Sequence, residues 1–227
     1  MSYELIQYFN SKFAKLYSQE STKEPLPFVT ISRETGCGAN IIAEMLQIEL
    51  RTTNHRWKVV NKEIIDEAAS ALKIDKQRIN DIIHVKNRTM ADEILDALST
   101  RYYKNDTTVR KTIAEVVRHD AKKGNIIIVG RGGVAVTQDL PKGLHIKLLA
   151  PKEWRINNLI QQRGLSKEAA AAFIKEHDKE RTQLLEQMSG KNIEQISYSL
   201  TINRATFTPL QIVKLILESM KIKELIN

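Results

Sequence analysis

The segment NIIIVG, residues 125–130, limits the choice of fold more than any other part of this sequence. It is an uninterrupted apolar run that ends in glycine, without the apolar–polar alternation of a strand that has one solvated face. Such a strand is buried on both faces, so helices must cover the sheet on either side. The segment therefore predicts a fully buried strand of a parallel sheet in an α/β protein.

Four other segments have the composition of short strands, and helical patterns separate them. In chain order the five predicted strands are FVTIS (28–32), WKVV (57–60), NIIIVG (125–130), LHIKLLA (144–150) and YSLTIN (198–203). Helices are predicted at about 39–52, 151–162, 166–188 and 208–225, and the stretch 61–123 reads as mostly helical. This alternation predicts an α/β fold with a doubly wound, five-stranded parallel sheet.

The first 27 residues are predicted to form an N-terminal extension, followed by one α/β domain at residues 28–227. Within residues 3–18, apolar side chains recur at the spacing of an amphipathic helix, namely Leu5, Ile6, Phe9, Phe13 and Leu16. The segment QESTKEPLP, which contains Pro25 and Pro27, reads as a linker. We expect the helix to pack on the domain or on a second copy, which would make a homodimer.

Charge and composition describe an ordinary globular chain that favours anionic partners. The formal net charge is +8, yet 35 Lys and Arg are interleaved with 27 Asp and Glu, and no basic arm is present. Nucleotides therefore fit this charge, and nucleic acid is not favoured by it. One cysteine, Cys37, suits a reducing compartment. No apolar stretch is long enough to span a bilayer, so we expect a cytoplasmic protein without membrane contact.

The turn ISRETGCGAN, residues 31–40, lies where the first predicted strand passes into a helix. Glycines at such a junction let the backbone wrap an anion, and the start of the helix presents N–H groups to it. The pattern G-x-x-x-x-G-K-[ST] is not met, because Ala39 occupies the lysine position and Asn40 follows it. From the residues alone, a phosphate loop without its lysine and an ordinary turn are equally good interpretations.

Arginines follow several of the predicted strands at the same edge of the sheet. Arg33 leads into the turn, Arg131 directly follows the buried strand, and Arg155 begins the helix after the fourth strand. Asp178 and Arg181 are three residues apart on the long helix and therefore share one face. Arginine binds phosphate through a planar, permanently charged fork, so these residues are candidates for an anion site. For Asp178 and Arg181 a solvated charged face is the alternative.

The sequence resembles the cytidylate kinase-like group of P-loop kinases over about residues 28–217. The motifs that carry this resemblance occur in the family's order, and they are ISRETGCGANIIAEML, NKEIIDEAA, NIIIVGRGG, LAPKEWRI, HDKER and YSLTIN. The family's opening motif runs Ser-Arg-Glu-aromatic-Gly-Ser-Gly-Gly-Arg. The positions that match it are Ser32, Arg33, Glu34, Gly36 and Gly38.

The resemblance implies a three-layer P-loop kinase-like fold and transfer of the ATP γ-phosphoryl group to a nucleoside monophosphate, CMP, dCMP or a related one, with Mg²⁺. The donor phosphates would bind the loop formed by Glu34, Thr35, Gly36, Cys37, Gly38, Ala39 and Asn40. Arg131 would bind the acceptor phosphate, with Lys62 bounding the acceptor site, and Arg155 would belong to a mobile lid. Asp178 and Arg181 would meet the acceptor or the transferring group.

Several residues depart from the family pattern and keep a second function open. The family offers arginine where this chain has Asn40, and the other departures are Asn61, Ser199 and the pair Asn157 and Asn158. A catalytically degenerate nucleotide-binding module is therefore an alternative, unless Arg33 compensates for the missing charge. A basic nucleic-acid-binding protein is the third hypothesis, suggested by Tyr102 and Tyr103 beside basic residues.

Histidine and cysteine are the two other residue types that could form a site. The five histidines show no ligand spacing, so no zinc-type metal site is predicted. Cys37 reads as a small loop residue, with an oxidation-sensitive thiol near a helix N-terminus as a side hypothesis.

Overall fold

The computed structural model describes residues 24–52, 56–61 and 106–227 of the chain. The predicted helix at 3–18 and the homodimer contact inferred from it lie outside these ranges, as do Lys62, Tyr102 and Tyr103. Most of the stretch 61–123 also lies outside them. Residues 24–27, at the end of the predicted linker, have no regular secondary structure.

Five strands form one parallel sheet, as the sequence predicts, and the structure shows their order to be β2-β3-β1-β4-β5. Their bounds are β1 Phe28–Arg33, β2 Lys58–Val60, β3 Ile126–Val129, β4 Gly143–Leu149 and β5 Leu200–Asn203. The central strand β1 pairs with β3 on one side and β4 on the other. The strand order reverses at β1, and ligands of open α/β sheets bind beyond the carboxyl ends of the strands at such a point.

Helices pack on both faces of this sheet. Their bounds are α1 Ala39–Glu49, α2 Asp106–Lys123, α3 Gly133–Thr137, α4 Lys152–Arg163, α5 Lys167–Ser189 and α6 Pro209–Ile222. One core cluster joins α1 and α6 to the sheet, and a second joins α2, α3 and Leu184 of α5 to the opposite face. None of these described helices is long and apolar enough to cross a membrane.

Local chemistry explains where the helices start and stop. Ser166 accepts a hydrogen bond from the backbone N–H of Ala169 and so caps the start of α5. Thr208 and Gln211 cap the start of α6 reciprocally, with Pro209 in the first turn. The helix predicted at about 39–52 ends at Glu49 rather than residue 52, because Leu50–Thr52 tighten into a 3₁₀ turn. The five-residue α3 was not predicted.

His145 is a buried titratable group of the sheet interior. Its protonation is expected to make the free energy of unfolding depend on pH. Its Nδ1 lies 2.9 Å from Thr30 Oγ1, and only 8% of the residue is exposed. Burial, with a smaller contribution from Lys223, lowers the pKa of His145 to about 4 from 6.5. The unfolded chain therefore binds a proton more readily than the folded chain as pH falls through this window.

We expect the free energy of unfolding to decrease by roughly 2–3 kcal/mol through His145 alone between pH 7 and 4.5. Urea unfolding of the wild type and of His145→Asn at both pH values measures this share. The variant, which cannot titrate at this position, should lose less stability on acidification. Equal losses in the two proteins would show that His145 does not cause the acid sensitivity.

Candidate functional site

A pocket of about 140 Å³ lies at the carboxyl edge of the sheet, under α5. Its lining comes from the ends of β1 and β3, from β4, from α5 and from the segment before β5. The polar side chains in this lining are Ser32, Arg33, Glu34, Arg131, Lys147, Asp178, Arg181, Thr182 and Tyr198. The pocket therefore occupies the place where the topology predicts a ligand.

Three guanidinium groups from separate elements line this one pocket, Arg33 from β1, Arg131 from the turn after β3 and Arg181 from α5. Burial lowers the pKa of all three, and that of Arg33 falls to about 9. Arg181 lowers the pKa of the other two further by repulsion. Like charges are held together here at an electrostatic cost, which a bound anion would relieve.

The backbone around Arg131 adopts a conformation that most residues avoid. Arg131 has φ 53°, in the left-handed region, between Gly130 at 72° and Gly132 at 69°. A Cβ at Gly130 would lie 1.7 Å from a terminal guanidinium nitrogen of Arg33, so a larger residue would displace the Arg33 side chain and strain the left-handed backbone. Arg131 Nε donates to the backbone oxygen of Asn61 at 3.3 Å. Strain that persists at one arginine indicates a functional position.

The predicted phosphate loop ends in a helix start that lacks its own cap. Gly38, with φ 67°, is the N-cap of α1, and neither a capping side chain nor an acidic residue in the first turn satisfies the first N–H groups. Such a helix start attracts an anion. Ala39, at the lysine position of the P-loop pattern, is 3% exposed and packs into the core. The loop therefore offers backbone donors without the usual ammonium.

Side chains of α4 hold the loop from behind through its carbonyl oxygens. Arg155 donates to the oxygen of Thr35 at 3.2 Å, and Asn158 donates to the oxygen of Gly36 at 2.6 Å. Because C=O and N–H point in opposite directions across a trans peptide, the N–H of Gly36 points away from Arg155. Asn158, one of the departures from the family pattern, thus has a defined role in shaping the loop.

Both acidic side chains of the pocket are already engaged. Asp178 accepts the backbone N–H of Thr35 at 2.7 Å and pairs with Arg155 at 2.5 Å. Glu34 accepts the N–H of Ala150 at 3.1 Å and lies 3.4 Å from Arg155. Arg181 donates to the hydroxyl of Thr35 at 2.6 Å, which connects α5 to the loop. These carboxylates stabilise the loop and neutralise Arg155.

The structure brings most predicted site residues together but places Arg155 differently from the expectation. The family resemblance implies that Arg155 belongs to a mobile lid, whereas its side chain is buried beneath the loop, where it pairs with Glu34 and Asp178. A first-turn arginine of a helix gave no sign of this burial. Lys62 lies outside the described residues.

Cys37 does not have the environment of a redox-sensitive thiol, contrary to the side hypothesis. The residue is fully buried in the core cluster of α1. Burial first, and the nearby carboxylate of Glu34 second, raise the pKa of the thiol to about 12. The proximity of a helix N-terminus is outweighed by desolvation, so the thiolate needed for oxidation is scarce.

Four polar residues of the pocket were not predicted from the sequence, namely Ser32, Lys147, Thr182 and Tyr198. Ser32 and Lys147 are direct partners in the register of β1 and β4, as Thr30 and His145 are two residues earlier. Polar residues at alternate positions of the otherwise apolar strand LHIKLLA were the available signal. Side chains two apart share a face, and this face contains the pocket.

The described residues do not supply a metal site of their own. Within residues 24–52, 56–61 and 106–227, no group of three or more His, Cys, Asp or Glu side chains could hold an ion. Glu34 and Asp178, the acids at the pocket, already accept hydrogen bonds from the backbone and pair with Arg155. A magnesium ion here would depend on oxygen ligands from a nucleotide and water.

The sheet order, the uncapped glycine turn and the arginine-lined pocket define an α/β protein of the P-loop kinase class. A family model described as "Cytidylate kinase-like family" matches residues 28–206, and the chain belongs to this family.

Similar proteins occur among the solved structures. An uncharacterized protein from Eubacterium ventriosum superposes with a TM-score of 0.62 at 18% identity, covering 86% of this chain and 98% of that one. A shikimate kinase from Bacteroides thetaiotaomicron gives 0.47 at 10% identity, covering 87% of this chain and 98% of that one.

Among curated proteins, a uronate isomerase from Corynebacterium glutamicum is 29% identical over 116 residues, which is 51% of this chain. The chain spans 22% of the length of that enzyme.

Proposed function

We propose that this protein is an ATP-dependent phosphotransferase that acts on a nucleoside monophosphate, with CMP or dCMP as the first candidates. The observation that carries the proposal is the convergence of Arg33, Arg131 and Arg181 on one pocket beside the glycine loop. Phosphoryl transfer requires mainly positive charge around the moving group and an in-line arrangement of its two ends. Family membership supports a nucleotide as the ligand class.

In the proposed reaction an oxygen of the acceptor phosphate attacks the γ-phosphorus of ATP, and the bond to the β,γ-bridging oxygen breaks to release ADP. The acceptor oxygen is already ionised, so no general base is needed from the protein. Backbone N–H groups at the start of α1 would hold the donor phosphates, and Arg131 the acceptor phosphate. Arg33 and Arg181 would stabilise charge on the transferring group. Magnesium would arrive with the phosphates of ATP.

A coupled assay of ADP release with a panel of nucleoside monophosphates tests this proposal. Turnover should depend on one acceptor or a small set of acceptors and should be abolished without magnesium. Absence of turnover with every acceptor, in folded protein that binds magnesium-ATP, would end the kinase proposal. We also propose a cytoplasmic location, because nucleotide substrates and a reduced Cys37 both suit that compartment.

A nucleotide-binding module without activity is the second candidate, and the buried Ala39 favours it. Loss of one electrostatic contact to the transferring phosphates typically lowers the rate about 10²- to 10³-fold. Ala39→Lys distinguishes the two candidates. A large gain of activity would indicate degeneration. Because Ala39 is buried, a loss of activity would indicate a different arrangement of charge in the loop only where thermal unfolding shows that the variant is still folded.

Nucleic-acid binding is the third candidate, suggested in the sequence by Tyr102 and Tyr103 beside basic residues. Salt-dependent retention of an oligonucleotide that Arg131→Ala leaves unchanged would favour it over both nucleotide-based functions.

A further inference from the structure

Lys147 is a cationic residue in the middle of β4, a strand that is otherwise mostly apolar and buried. Its register partner is Ser32 of the central strand β1, and both side chains line the pocket. In the preceding pair on the same face, the side chains of Thr30 and His145 are hydrogen-bonded to each other. Lys147 therefore begins the part of this face where the sheet interior gives way to the pocket.

The ammonium of Lys147 has no acidic partner within the described residues. Its recorded contact is the ring of Tyr198, whose centroid lies 5.4 Å from Nζ. Burial raises the pKa of Tyr198, and the Ser32 side chain, which lines the same pocket, opposes this shift. A partly buried lysine that faces a pocket and lacks a carboxylate is costly unless a ligand supplies the counter-charge.

The charge balance of the pocket lining also indicates an anionic ligand. Four cationic side chains, Arg33, Arg131, Lys147 and Arg181, line it together with two acidic ones, Glu34 and Asp178. Both acids pair with a fifth cation, Arg155, behind the loop, and Asp178 also lies 3.7 Å from Arg181. The described lining therefore holds an excess of positive charge sufficient for a doubly charged anion.

We propose that Lys147 is a further substrate-binding residue, whose ammonium donates to an oxygen of the acceptor phosphate while the Tyr198 ring holds the side chain in place. The proposal rests on the proposed function for the identity of the anion. An ammonium is a compact charge with three donors, so it can approach a phosphate oxygen from the sheet while arginine forks contact the others. Lys147 thus supplies an ammonium to the pocket from β4. The loop itself has no ammonium, because Ala39 occupies the lysine position of the P-loop pattern.

The alternative is that Lys147 only stabilises Tyr198 through a cation–π contact. The two roles predict different measurements, because a purely structural lysine affects folding and leaves ligand affinity unchanged. The informative variants are Lys147→Gln, which removes the charge, and Lys147→Arg, which keeps it. Lys214→Gln is the matched control, since Lys214 is exposed on α6 and carries the same charge change.

The experiment measures the dissociation constant of inorganic phosphate by ³¹P NMR, with the acceptor KM and kcat from the ADP-release assay. Thermal unfolding of each variant serves as the folding check. We expect Lys147→Gln to weaken phosphate binding and raise the acceptor KM about 10- to 100-fold. Lys147→Arg should recover a large part of both, and Lys214→Gln should resemble the wild type.

Several results would overturn the inference, and they differ from those that end the proposed function. Phosphate affinity and acceptor KM within twofold of wild type in folded Lys147→Gln, or no phosphate binding by the wild type, would each overturn it. Phosphate binding that depends on Lys147, together with no turnover of any monophosphate, would retain the anion site and end the kinase proposal alone.

Discussion

Replacing Arg155 with methionine is expected to lower the free energy of unfolding by about 3–5 kcal/mol, the cost of breaking a buried ion pair by removing one partner. The Arg155 side chain is 9% exposed, and its guanidinium pairs with Asp178 at 2.5 Å. The guanidinium also donates to the backbone oxygens of Ala150 and Thr35. Methionine fills most of the volume but leaves these acceptors unsatisfied. Urea unfolding at pH 7 measures the difference.

Arg163→Met, at the exposed end of the same helix, is the matched control and should cost less than about 1 kcal/mol. The double variant Arg155→Met/Asp178→Asn should lose at least about 1 kcal/mol less than the sum of the single variants, because the two residues share one interaction. A loss below 1 kcal/mol for Arg155→Met would contradict the assignment of Arg155 as the buried support of the loop.

Replacing Arg131 is expected to separate activity from stability. Arg131→Gln should lower kcat/KM for the acceptor about 10²- to 10³-fold, since it removes one positioned charge at the reacting phosphates. Arg131→Gly should lose as much activity without loss of stability, because glycine adopts φ 53° freely and the repulsion from Arg181 disappears. The ADP-release assay and urea unfolding provide the two readouts.

The control is Arg51→Gln, an exposed arginine in the 3₁₀ turn after α1, which should change neither quantity. A structural Arg131 would give the opposite pattern, with stability reduced in the glycine variant and kcat/KM close to that of the wild type.

The sequence was sufficient for the fold because the signals for it are local. The uninterrupted run IIIV of β3 requires burial on both faces, and the helical patterns between strands provide the covering layers. Strand positions were predicted to within about two residues. The differences occur at ends such as Asn125, whose φ of 50° places it in the turn before β3.

The site was only partly predictable because its decisive contacts are distant in sequence. Arg33 and Arg131 could be proposed as neighbours because strand ends share one edge of the sheet. For Arg181, on the long helix, a solvated charged face was an equally local interpretation of the sequence. The pairing of Asp178 with Thr35, 143 residues apart, could not be predicted. Nor could the hydrogen bond of Asn158 to Gly36, because an asparagine in a helix has no preferred partner in the sequence.

Departures from the family pattern therefore have local structural consequences that the motif comparison could not show. Asn61 donates from its side chain to Asn40 at 3.3 Å, and its backbone oxygen accepts from Arg131. Ser199 accepts the backbone N–H of His145 at 3.1 Å and so helps to join β5 to β4. These residues give the loop, Arg131 and the sheet a consistent set of polar contacts.

The central claim is that guanidinium groups from three separate elements form one anion site at the end of β1. Crystals soaked in tungstate, an electron-dense analogue of phosphate, test it by direct location of the anion. We predict one tungstate within hydrogen-bonding distance of at least two of Arg33, Arg131 and Arg181. Tungstate bound elsewhere on the molecule, with this pocket empty, would contradict the claim.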